Sequence, residues 1–104
     1  MANRWRGEVS LVVNDEEQTL RLSLGALAAL EERLGADGMV PLIERFEAGS
    51  FRSEDLIALL HAGLSDCGWQ GDENDLRTAR IEGGAMAAAR CAAQLLKVTF
   101  TLEQ

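Results

Sequence analysis

The chain has 104 residues, with 17 Asp and Glu against 10 Lys and Arg, a net charge of −7. That excess of carboxylates repels phosphate backbones and anionic lipids, which argues against direct nucleic-acid binding and against a membrane partner. Two cysteines, Cys67 and Cys91, stand in no CxxC or metal-ligand spacing, so they are read as reduced thiols of a cytoplasmic protein and not as a disulfide framework.

Aromatic residues are few, two Trp, three Phe and no Tyr, so the core must be aliphatic. Acid is concentrated in the middle: residues 36–82 hold ten acidic and four basic side chains, whereas residues 83–104 hold Arg90 and Lys97 against Glu103. The longest early apolar run, Val9 to Val13 with Ser10 inside it, is too short for a secretory core or a membrane span.

Trp5, Val9, Leu11 and Val13 alternate with Arg6, Glu8, Ser10 and Asn14, the mark of a strand with one buried face. Asn14-Asp15-Glu16-Glu17 reads as a turn, because Asn and Asp tolerate left-handed backbone. Leu20, Leu22 and Leu24 alternate on the far side, completing an antiparallel hairpin over residues 5–24. The period then changes: Leu27, Leu30 and Leu34 recur at helical spacing, with Ser23 placed to cap the new helix.

That first helix is expected over about residues 24–34, closed by Gly35. A second, about 39–48, carries Met39, Leu42, Ile43 and Phe46 on one face and tolerates Pro41 in its first turn. A third, about 53–66, has Ser53 as its expected cap and a broad stripe of Leu56, Ile57, Leu59, Leu60 and Leu64. Asp72 and Asp75 form a capping-box pattern for a fourth helix, about 73–81. After Gly83-Gly84 an Ala-rich fifth helix is expected over about 85–97, with Met86, Ala89, Ala93 and Leu96 along one stripe. Val98, Phe100 and Leu102 then alternate with Thr99, Thr101 and Glu103, a β-like tail (98–104) read as free to move and able to add to a neighbour's sheet edge. The fold class expected is α+β, a single domain in which the hairpin packs against four or five short helices, since a lone hairpin is marginal in water.

No catalytic constellation survives inspection, and the chain is read as not an enzyme. His61 is the one histidine and lacks a nucleophile at helical spacing; it reads as a structural or surface group. Asp66, Asp72, Glu73 and Asp75 miss the alternate ligand spacing of a calcium loop, and helix capping accounts for them better. Gly83-Gly84 lacks the rest of a phosphate-binding motif and reads as a hinge. No metal and no cofactor is expected. Trp69, between Gly68 and Gln70-Gly71, is either an anchor for a partner or a lid over the helices. Candidate partner-binding residues are Trp69, Met86, Ala89, Ala93, Val98, Phe100 and Leu102.

The hairpin followed by Leu20-Arg-Leu-Ser-Leu-Gly-Ala-Leu-Ala-Ala-Leu-Glu-Glu-Arg-Leu-Gly35, and then Ser53-Glu-Asp-Leu-Ile-Ala-Leu-Leu-His-Ala-Gly-Leu64, resembles the gene transfer agent family of small phage-derived tail proteins of alphaproteobacteria. The similarity covers roughly residues 7–97 and rests on packing and capping patterns. It implies virion morphogenesis: a tail assembly chaperone that binds the tape measure protein, or a structural tail tube component that stays in the particle. Its implied partners are the tape measure protein or other phage-tail proteins, while a homo-oligomer is suggested instead by the flat apolar face of the fifth helix and the alternating tail. A third reading, a small thiol-dependent enzyme or sensor using Cys67, Cys91 or His61, comes from the residues and not from the resemblance.

Overall fold

The computed structural model describes residues 2–102. It has an antiparallel hairpin, β1 (Val9–Val13) and β2 (Glu16–Leu20), followed by α1 (Leu24–Leu34), α2 (Met39–Glu47), α3 (Ser53–Asp66), α4 (Glu73–Arg77) and α5 (Gly84–Leu102). This is the α+β arrangement expected. Asn14 (φ 51°) and Asp15 (φ 70°) make the two-residue turn, both in the left-handed region that favours these residue types. The register runs from Val13 opposite Glu16 to Val9 opposite Leu20.

The hairpin's inner face carries Val9, Leu11, Val13 and Leu20, all buried, and it packs against α3 and α5. Helices α1, α2 and α4 close the outside of this core. Leu42 of α2, Leu59 and Leu64 of α3, and Ala92, Leu95 and Leu96 of α5 are wholly inaccessible. Phe46 and Phe51 stack with ring centroids 4.7 Å apart, fixing the turn after α2. Gly63 lets α3 approach β2 and α5 closely, and its carbonyl accepts the Arg21 backbone N–H at 3.1 Å.

Local signals fix most helix ends. Ser23 Oγ accepts from the Ala26 N–H at 3.1 Å, and Gly35 (φ 64°) ends α1. Asp72 and Asp75 exchange backbone and carboxylate bonds, 2.9 Å each way, at the start of α4. The cap of α3 differs from expectation. Ser53 is already the first helical residue, Arg52 is the capping position, and Asp55 Oδ2 accepts the Arg52 N–H at 3.0 Å.

Four further expectations are corrected. Trp5 does not face inward with Val9: Arg4–Arg6 form a 3-10 turn, and Gly7 (φ 74°) breaks the alternation, leaving Trp5 73% exposed. Leu24 does not extend the inward face, because the helix begins there and turns it out. Helix α4 stops at Arg77 instead of 81, because the chain that follows is recruited by the hairpin. Arg80 O accepts the Asn14 N–H at 2.8 Å, Arg80 N–H donates to Asn14 Oδ1 at 2.9 Å, and Glu82 N–H donates to Val12 O at 3.1 Å. Ile81 thereby bridges to Val13. Finally, the alternating tail is helix: α5 continues to Leu102, and residues 103–104 of the expected mobile tail lie outside the described residues. Thr99 and Thr101 return their hydroxyls to the carbonyls of Leu95 and Lys97 at 2.7 and 2.8 Å, which reconciles β-branched residues with the helix, and burial of Val98 and Thr99 against the core holds it there.

Candidate functional site

The core face of α5 consists of Ala88, Cys91, Ala92, Leu95, Leu96, Val98 and Thr99. The stripe expected from the sequence is rotated from this by about one position. Met86 is 70% exposed, Ala89 and Ala93 are half-buried, and Leu96 is in the core. Val98 is buried against the chain's own core, Phe100 is half-buried, and Leu102 is the last residue of the helix. These residues therefore do not form a β-like tail free to join a neighbour's sheet. Helical spacing separates Val98 from Phe100 around the axis.

Trp69 lies elsewhere, in the loop after α3. Its ring is half-buried against the core, edge-on to His61 with centroids 6.3 Å apart. Gly71 leaves room for it: a Cβ there would stand 2.3 Å from Trp69 Cη2. The His61 Nε2–H donates to Gly71 O at 3.2 Å, tying the loop back to α3. His61 thus has a structural partner and edge contact with an indole, and no thiol beside it.

The two thiols are unactivated. Burial pushes Cys91 up to about 12, and its Sγ–H points to Ser10 O at 3.7 Å. Cys67 is exposed, yet partial burial and the neighbouring carboxylates of Glu8 and Asp66 also raise it. Reactive cysteines need the opposite environment. The acidic cluster is likewise accounted for. Asp66 Oδ2 accepts the Ser23 N–H at 2.9 Å, Asp72 and Asp75 cap α4, and Glu73 makes a two-pronged pair with Arg33 at 2.6 and 2.9 Å. That guanidinium holds the Glu73 carboxyl below the usual carboxylate range. Among the described residues no three His, Cys, Asp or Glu side chains converge on a metal-sized site, and no helix is long and apolar enough to cross a membrane.

What remains is a groove under the turn end of the hairpin. Glu16 and Gln18 of β2 form one wall, the Cys67–Gly71 loop with Trp69 the second, and Asp75, Thr78 and Ala79 the third. Sequence reading placed Trp69 as a candidate but not Glu16 or Gln18, because alternation marks which face a residue takes and not what stands opposite it.

Two edges flank the hairpin, and they differ. Along β1, Val12 O is taken by Glu82 N–H and Ser10 O by the Cys91 thiol. Along β2, the backbone groups that point away from β1 belong to Glu17 and Thr19, and neither has a partner among the described residues. The next outward-pointing group, Arg21 N–H, is already bonded to Gly63.

A family model described as phage tail tube protein, GTA-gp10, matches residues 6–101. No curated protein and no solved structure matches the chain.

Proposed function

Since the chain belongs to the phage tail tube protein, GTA-gp10 family, we propose that it works in tail morphogenesis as an assembly chaperone, binding the tape measure protein in the cytoplasm while the tail of a phage-like particle is built. The observation that carries this reading over a tube subunit is charge. A tube repeats one chain against itself, and each copy must bury a large self-complementary area. A chain with net charge −7 opposes such like-with-like stacking and instead keeps a bound, aggregation-prone partner in solution. Among the described residues, the large apolar side chains that remain exposed, Trp5, Leu24, Val40 and Met86, lie on four different elements and suit transient contacts better than a permanent ring interface.

Co-expression with the tape measure protein of the same gene cluster tests it. The expected result is a rise in that partner's soluble fraction and co-purification of the two. An insoluble tape measure protein with no co-purification rejects the chaperone. The second reading, a structural tube component, is favoured by the family's own description. It is adopted if mass spectrometry of purified particles finds many copies of this chain in each.

A further inference from the structure

We propose that the free edge of β2 and the adjoining Trp69 groove bind an extended, basic segment of a partner polypeptide by strand addition. The reading rests on the proposed function only for the partner's source. The recognition itself follows from the backbone. Glu17 and Thr19 offer two N–H donors and two carbonyl acceptors in strand geometry, the requirement for adding a third strand. Glu17 is exposed and Thr19 half-buried, so the edge is reachable. The outward carbonyls of β1 are taken by Glu82 and Cys91, which leaves β2 as the edge where donors and acceptors are both open to an added strand.

An added strand places alternate side chains on the same face as Glu16 and Gln18, which is the groove face. The groove's lining contains two carboxylates, Glu16 and Asp75, and no Lys or Arg. Glu17 stands on the same edge. A Lys or Arg entering there meets carboxylates and the ring of Trp69, both favourable to a cation. A second copy of this chain is a poorer occupant. Full antiparallel pairing of β2 with itself sets Glu16 opposite Leu20 and Glu17 opposite Thr19, so the second strand brings two further carboxylates and no Lys or Arg to a groove that already holds Glu16 and Asp75.

The probe is an octapeptide of alternating Lys and Val, with an alternating Glu–Val octapeptide as control, titrated into the 104-residue chain at low salt. Amide spectra and exchange rates are followed residue by residue, and indole emission is read in a Trp5→Phe background. The expected result is new exchange protection at Glu17 and Thr19, an emission shift from Trp69, and binding at least about tenfold weaker for the Glu control. Thr19→Pro deletes one outward N–H at an edge position that tolerates proline and abolishes the protection. Glu16→Lys, which leaves the backbone intact, weakens binding about tenfold and secures the test should Thr19→Pro misfold. Perturbations confined to other surfaces, or equal binding of both peptides, overturn the proposal. An edge already protected in the free chain, with a dimer's mass, also overturns it and makes the occupant a second copy. The test needs no tape measure protein, so it fails or succeeds independently of the co-expression result.

Discussion

Gly63 of α3 lies so close to Leu20 of β2 that a Cβ on the glycine would stand 3.0 Å from Leu20 Cβ, and 2.8 Å from Leu95 Cδ2. Both leucines are wholly buried, so neither can swing aside into solvent. Gly63→Ala is expected to cost about 1–3 kcal/mol through overpacking, despite the better helix propensity of alanine. Gly25, near the start of α1, has only Ser23 Oγ at 3.9 Å in the same position, so Gly25→Ala should stabilise by up to about 1 kcal/mol. Denaturant unfolding of the two variants should therefore move in opposite directions.

The hairpin turn provides a second contrast. Asn14 combines left-handed backbone with a side-chain oxygen bonded to Arg80 N–H. Asn14→Ala loses both and should cost about 2 kcal/mol. Asp15 has φ 70° and an exposed ion pair with Arg80. Asp15→Gly relieves the backbone and should be neutral or stabilising by about 0.5 kcal/mol, since a paired surface charge contributes little. Thermal unfolding of both variants checks the pair.

Acid should reveal the Arg33–Glu73 bridge. The Glu73 carboxyl is held below its ordinary value of 4.5 by the Arg33 hydrogen bond. A group depressed in the folded state contributes stability above its unfolded value and loses it as pH falls through the folded one. Wild type should exceed Glu73→Gln by at most about 0.5 kcal/mol at neutral pH, because the pair is partly exposed. That margin should start to shrink below pH 4.5 and vanish in stronger acid. Stability measured against pH for both proteins tests this.

Thiol titration of the native chain should give one accessible equivalent, Cys67, reacting more slowly than a free thiol because its ionisation is raised. Cys91, buried and pushed up to about 12, should react only when the chain unfolds. Two fast equivalents would contradict the packing of α5 on β1.

Periodicity read directly from the chain located the hairpin, the switch at Ser23 and the α3 stripe, because each is a local signal repeated several times. It failed where partners distant in sequence decide. Arg80 leaves the helical pattern for the Asn14 turn, and Glu82 just beyond that pattern takes the Val12 edge, 66 and 70 residues away along the chain. Val98 to Leu102 alternates like a strand, yet the core takes Val98 and Thr99 as one helical face. Of the groove, Trp69 was legible as an odd aromatic among glycines. The unpaired groups of Glu17 and Thr19 were not, since they follow from the register fixed by Asn14 and Asp15.

The bond from Asn14 to Arg80 also orders events at the ribosome. The strands are synthesised well before the residues that bond to β1 and the helix that roofs it. A nascent chain that has reached only Thr78 can lay α3 against β2, but β1 still lacks Glu82 on its edge and α5 on its face, so the ribbon stays half-covered until α5 emerges.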